Sequence, residues 1–309
     1  MILVTGATGF IGSAVLAELD SRGLNVRGIT RDLNQGSYMS IGNIGPDTDW
    51  GSVLSGVDIV IHIAARVHVM DDVVEDPLAE YRKVNLEGTL NLARQAAFGG
   101  VKRFIFISSI KVNGESTRPG EYFTADDEAC PADPYAISKW EAEVGLNKLA
   151  IETGMEVTII RPPLVYGPGA GGNFRSLIRW VNNGIPLPFG AIRNKRSLVA
   201  LDNLVSLIIT CMNHVAAANQ IFLVSDGEDL STRDLVKRIA EALAKPARII
   251  PIPVWLLNLA GLLLGRRSMV QRLRGSLQVD LSKERKLLGW EPPISVTEAM
   301  REVARDFRQ

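Results

Sequence analysis

The chain has 309 residues, with 34 Lys and Arg against 34 Asp and Glu, so its formal net charge is zero. That balance excludes a nucleic-acid binder or a polybasic membrane binder acting through its overall field, and 46% hydrophobic with 22% charged residues excludes a disordered chain. The length suits one large α/β domain or a nucleotide domain with a smaller lobe, and two cysteines, Cys130 and Cys211, are too few for a disulfide framework or a thiolate metal site, which fits a reducing, cytoplasmic setting.

Met1-Ile2-Leu3-Val4-Thr5 runs straight into glycines with no basic region or small-residue cleavage site, so it reads as a strand rather than a secretory signal. Short apolar runs bounded by Gly, Asp and Ser predict buried strands at 2–5, 25–30, 58–63, 103–108 and 156–160. Between them, apolar residues at helical spacing predict helices over 11–22, 76–98 and 134–153. This alternation predicts an α/β fold, a Rossmann-type doubly wound parallel sheet with helices on both faces, over residues 1–165. From Pro162 to Gly190 the rhythm is irregular and rich in Pro and Gly. Residues 166–309 therefore read as a smaller, mixed α/β lobe, with roughly 192–225 returning to the first domain. Ser231-Thr232-Arg233-Asp234 has capping-box spacing and predicts a helix over 234–244 that Pro246 follows. The apolar run 254–264 falls short of the ~20 residues that span a bilayer. It reads first as a packed helix, with a substrate cover or a membrane-surface contact as alternatives.

Gly6-Ala7-Thr8-Gly9-Phe10-Ile11-Gly12 places three glycines three apart, directly after a predicted strand and at the start of a predicted helix. In that context one glycine permits a tight turn, one lets the backbone approach a pyrophosphate, and one lets the helix pack on the strand. A dinucleotide is the expected ligand. The second strand ends in Thr30-Arg31-Asp32. The Arg31 guanidinium suits a 2′-phosphate and favours NADP(H); Asp32, as a ribose acceptor, keeps NAD(H) open.

Tyr135 and Lys139, in Pro134-Tyr135-Ala136-Ile137-Ser138-Lys139, are four apart and share one helix face. A nearby ammonium favours phenolate over phenol and suits the tyrosine to proton transfer. His62 reads as a satisfied histidine at a buried strand end, and neither His68 nor His214 stands at ligand spacing from it, so no metal site is expected.

With these residues the sequence resembles the extended short-chain dehydrogenase/reductase superfamily, in its nucleotide-sugar epimerase, dehydratase and reductase branch. The further markers are His62-Ile63-Ala64-Ala65, Asn85-Leu86-Glu87-Gly88-Thr89, Ser108-Ser109 and Arg161-Pro162. The resemblance implies that Tyr135 is the acid/base on the sugar 4-oxygen, that Ser109 bonds the same oxygen, and that Lys139 holds the nicotinamide ribose. It assigns Gly6, Thr8, Gly9, Phe10, Ile11, Gly12, Arg31, Ala64, Ala65, Asn85 and Pro162 to the cofactor. Asn43 and Ile44 stand where the family has an acidic residue beside the adenine. Arg66, Asn173 and Arg196, with Arg272 or Arg274 on the diphosphate, are the implied substrate ligands.

Dehydratases of this branch carry an Asp-Glu pair just after the serine; here Ile110 and Lys111 take those places, and neither can act as a carboxylic acid. Dehydration is therefore disfavoured. The remaining expectation is NADPH-dependent reduction of the C4 ketone of a UDP-4-keto-6-deoxy-N-acetylhexosamine in O-antigen synthesis, giving UDP-QuiNAc or UDP-FucNAc. The alternatives are an NAD-dependent UDP-sugar 4-epimerase and, more remotely, a non-catalytic NADP(H)-sensing regulator. The resemblance also implies a homodimer joined through the helices predicted at 76–98 and 134–153.

Overall fold

A computed structural model describes residues 1–32, 38–67, 76–263 and 273–308. β1 (Ile2–Thr5) is buried along its whole length. It pairs in parallel with β2 (Val26–Thr30) on one side and with β4 (Ile59–His62) on the other. β3 (Met39–Ser40) lies outside β2, and β5 (Arg103–Ile107), β6 (Glu156–Arg161) and β9 (Gln220–Leu223) continue beyond β4. The order β3-β2-β1-β4-β5-β6-β9 is parallel throughout, which is the doubly wound sheet read from the sequence. The chain leaves β1 in one direction and returns to its other side at β4, so a crevice opens at the carboxyl ends of these two strands.

Helices cover both faces. α1 (Phe10–Ser21) and α7 (Leu201–Asn213) bury their apolar stripes on one, and α2 (Gly51–Leu54), α4 (Thr89–Phe98) and α5 (Pro134–Thr153) on the other. The single helix predicted over 76–98 is interrupted. α3 (Pro77–Tyr81) passes into a π-helical segment, Arg82–Gly88, before α4 begins. The widened turns rotate Asn85 into the interior, where its amide is hydrogen-bonded, an accommodation typical of π segments at functional sites.

A second, three-stranded sheet is built from β7 (Leu164–Tyr166), β8 (Arg196–Ala200) and β10 (Asp229–Leu230). β8 runs parallel to β7 and antiparallel to β10. α6 (Gly172–Asn182), α8 (Thr232–Leu243) and a C-terminal helix, Val296–Arg308, close over it in a separate apolar cluster. α8 starts at Thr232, earlier than the predicted 234, because the cap is Ser231 itself: its hydroxyl accepts the Asp234 N–H at 3.0 Å. α9 (Val254–Leu263) follows α8, and α10 (Ser282–Leu288) precedes the C-terminal helix, α11. Among the described residues no helix is long and apolar enough to cross a membrane.

Between the two sheets lies the buried carboxylate of Asp226. Its Oδ1 accepts the Ala200 N–H and the Asn203 amide, both at 2.7 Å, and its Oδ2 accepts the Tyr166 hydroxyl at 2.7 Å. Burial raises the Asp226 pKa, and these three donors oppose the rise.

Candidate active site

The glycine turn joins β1 to α1 at the crevice. Gly6 has φ +70°, and a Cβ there would lie 2.9 Å from the backbone nitrogen of Ala64, at the end of β4. A Cβ on Gly12 would lie 2.0 Å from the Gly6 carbonyl oxygen, so only glycine lets the first turn of α1 seat on the loop. Gly9 caps α1, and among the described residues no side chain caps the helix's first N–H groups. Those donors and the positive end of the helix suit an anion. Thr8 is exposed, and Phe10 and Ile11 are half-buried, with Phe10 packing on the cores of both sheets.

Thr5, the last residue of β1, holds this corner together. Its hydroxyl oxygen accepts the N–H groups of Ile63 and Ala64, each at 3.2 Å, so its proton goes to Nδ1 of His62 at 2.7 Å. Nε2 of His62 then carries its own proton and donates it to Thr89 at 2.9 Å. Burial, and secondarily the Lys139 charge, push the His62 pKa down to about 3, which keeps the ring neutral. His62 ties β1, β4 and α4. Among the described residues no group of three or more His, Cys, Asp or Glu could hold a metal ion.

At the end of β2, Arg31 and Asp32 are exposed, 3.8 Å apart. Ile44 packs against the core beside Gly88, while Asn43 is exposed and accepts the Thr48 hydroxyl on its carbonyl. Ala64 and Ala65 are half-buried beyond β4. Asn85 uses its amide on the chain itself: Oδ1 accepts the Arg66 N–H at 2.8 Å, and Nδ2 donates to the Arg66 carbonyl at 3.0 Å and to Ser138 at 3.1 Å. It thereby fixes the loop after β4 to α5. Pro162 is buried, its carbonyl accepting the Ile110 N–H at 3.0 Å.

α5 carries the two residues expected to react, Tyr135 and Lys139. Asp133 caps it, accepting the Ala136 N–H at 2.8 Å, and Pro134 occupies its first position, so Tyr135 and Lys139 enter the site from the helix's first two turns. The Tyr135 ring stands edge-on to Tyr81 at 6.0 Å. Burial and the Asp133 charge push the phenol up to about 12, and a hydrogen bond with the Ser109 side chain pulls it back. Lys139 is fully buried, with its ammonium 4.1 Å from the centroid of the Phe106 ring. Desolvation lowers its pKa to about 7, opposed by Glu143. The Lys139 ammonium meets the face of the Phe106 ring, and a charged donor held at the crevice fits a ligand hydroxyl. The turn, the open helix end and this ammonium together fit a dinucleotide.

Sequence reasoning missed Glu143. Its carboxylate accepts the Ser108 hydroxyl and is gripped by Arg161, with Nη2 to Oε2 at 2.6 Å and Nε to both oxygens at 3.1 and 3.2 Å. Arg161 also donates to Asn113 at 2.9 Å. The available signal was the spacing Tyr135, Lys139, Glu143, one stripe at helical period. Lys111 is engaged with the Asp133 carboxylate, and Ile110 is buried.

The substrate side is more dispersed. The Arg66 guanidinium lies 5.8 Å from the centroid of the Tyr81 ring, beside the Tyr81–Tyr135 pair. Arg196 opens β8 and donates to the Gly275 carbonyl at 3.2 Å, which brings it next to the exposed Arg274. Asn173 is exposed in the first turn of α6. Arg272 lies outside the described residues.

The sequence pattern of the NAD dependent epimerase/dehydratase family matches residues 2–225. The chain is 50% identical to a UDP-glucose 4-epimerase of Vibrio cholerae, over all of this chain and 95% of that one. It is 32% identical to an N-acetyl-alpha-D-glucosaminyl-diphospho-ditrans,octacis-undecaprenol 4-epimerase of Escherichia coli O157:H7, over 83% of this chain and 77% of the other. The structure superposes on that of the UDP-glucose 4-epimerase of Thermotoga maritima, solved with UDP-glucose, with a TM-score of 0.78 and 26% identity, covering 99% and 98% of the two chains. Other solved proteins of this fold hold NAD or NADPH. Fold, glycine turn and full-length similarity agree, and the chain belongs to the NAD-dependent epimerase/dehydratase family.

Proposed function

We propose that the protein is a nicotinamide-dependent UDP-hexose 4-epimerase of the cytoplasm, serving surface-polysaccharide synthesis of the O-antigen type. The observation that carries this reading is the hydrogen bond between the half-buried Ser109 and Tyr135, beside the glycine turn and the buried Lys139. The choice of epimerase within the family rests on the relative of 50% identity, and it replaces the reductase that Arg31 favours from sequence. The dinucleotide, when bound, takes up and returns hydride at the sugar C4. Tyr135 as phenolate accepts the C4 hydroxyl proton when that carbon is oxidised and gives it back when hydride returns to the other face, so there is no net redox change. Ser109 holds the same oxygen, and the Lys139 charge favours the phenolate. Arg196 and Arg274 suit the diphosphate.

A second reading, C4-ketoreductase, retains one supporting observation: Arg31, exposed at the end of β2, suits the 2′-phosphate of NADP(H). The test is to incubate the purified protein with UDP-glucose and, separately, with UDP-N-acetylglucosamine, without added cofactor, and to follow the C4 configuration by NMR. The expected result is interconversion of C4 epimers with no net change in NAD(P)H absorbance. Oxidation of NADPH by a UDP-4-keto-6-deoxy-sugar without epimerisation would establish the reductase instead. Denaturing the protein and identifying the released dinucleotide decides between NAD and NADP.

The outer face of α5 exposes Trp140, Val144 and Ile151, which fall on one side of the helix. We take this face, with the fully exposed Phe98 at the end of α4, as the contact with a second copy of the chain. Sedimentation equilibrium should give the mass of two chains, and Val144→Asp together with Ile151→Asp should give one. A wild-type monomer would remove the assignment.

A further inference from the structure

α9 is apolar except for Asn258, yet part of it faces solvent. Trp255 is 64% exposed, Leu259 46% and Leu262 59%, and these three positions, at i, i+4 and i+7, form one face of the helix. Leu256, 37% exposed, borders it. Leu257, on the opposite side, packs against the apolar cluster of the second lobe. Among the described residues the helix is thus seated by one face and has no partner on the other. Ile250, just before it, adds a further 45% exposed apolar side chain.

The sequence flanking this helix is one-sided in charge. Between Glu241 and Asp280 the sequence carries six cationic residues, Lys245, Arg248, Arg266, Arg267, Arg272 and Arg274, and no Asp or Glu, in a chain whose net charge is zero. Of the described members, Lys245, Arg248 and Arg274 are exposed. An apolar face led by tryptophan within a basic, acid-free stretch has the chemistry of an interfacial helix: the ring and leucines enter the headgroup boundary while cations meet anionic headgroups. Ten residues are too few to span the hydrocarbon core.

We propose that the exposed face of α9 docks the enzyme on the surface of an anionic phospholipid bilayer. The face lies on the second lobe, whereas α5 packs in a cluster of the first, and none of the residues substituted in the test below is assigned to the contact between copies or to the reaction of Tyr135.

The experiment is flotation of the full-length protein with phosphatidylcholine vesicles, with and without phosphatidylglycerol, at low and high salt. The protein should float with the anionic vesicles at least about tenfold more than with the neutral ones, and salt should weaken the binding. Trp255→Ser with Leu259→Ser should lower flotation by about tenfold while epimerase or reductase turnover of soluble UDP-sugar stays at the wild-type level, which also reports an intact fold. Lys245→Glu with Arg248→Glu should reduce the preference for anionic lipid. Equal flotation with both vesicle types, or none with either, overturns the proposal. So does a vesicle-free self-association that the Trp255 and Leu259 substitutions abolish, which would assign the face to a second copy.

Discussion

Tyr135→Phe should lower kcat by about 10³-fold, the scale set by loss of a positioned acid/base, while leaving the content of bound dinucleotide unchanged. The substitution removes one oxygen. The ring retains its edge-on packing against Tyr81 at 6.0 Å, α5 retains its Asp133 cap, and Lys139 stays buried over Phe106. What disappears is the phenol that Ser109 bonds, the group proposed to take the proton from the sugar hydroxyl. Initial rates and dinucleotide content on the same preparation check this. A rate within tenfold of wild type would place the proton transfer on another group.

Glu143→Ala should cost about 3–5 kcal/mol of stability, the range for breaking a buried ion pair by removing one partner. Side-chain exposure is 2% for Glu143 and 4% for Arg161, so the guanidinium left behind would be buried without its counter-charge. Urea denaturation measures the loss. Glu143→Gln keeps the volume and much of the hydrogen bonding, and it gives a catalytic readout that a purely structural role would not move. Glu143 raises the Lys139 pKa against the desolvation that lowers it to about 7. Removing its charge therefore lowers the Lys139 pKa further, and activity that requires the ammonium should be lost at lower pH on the alkaline side of the pH–rate profile. A Gln variant with an unshifted alkaline limb would confine Glu143 to holding Arg161.

Much of this was legible because it is local. Strand, glycine turn and helix occur in order between Ile2 and Ser21, and Tyr135 and Lys139 are separated by one helical turn, so period and composition suffice. The missing parts are set by partners distant in the chain. The segment of roughly 192–225 expected to return to the first domain carries no predicted strand, because β9 takes its place only by pairing with β6, some sixty residues earlier, and Arg196 meets Gly275 about eighty residues on. The break at Arg82–Gly88 is invisible to periodicity, because the apolar pattern of 76–98 suits a regular helix and the reward for the π turns is a bond from Asn85 to Arg66 and Ser138. Glu143 was readable as a position on the stripe. Its partner Arg161 comes from a strand, and an alternating pattern does not announce an ion pair.

Asp226 has a consequence for how the cleft opens. The chain passes between the two sheets after β6, after β8 and after β9. The donors to this carboxylate come from beside each passage: Tyr166 ends the strand that follows the first, Ala200 and Asn203 flank the second, and Asp226 itself stands on the third. A hinge swinging one lobe from the other would have to bend these three passages, and the further crossings on either side of α10, at once and strip a buried carboxylate of its donors. Access to the crevice is therefore left to shear between packed layers and to rearrangement of loops at its rim, with the lobes riveted at their centre.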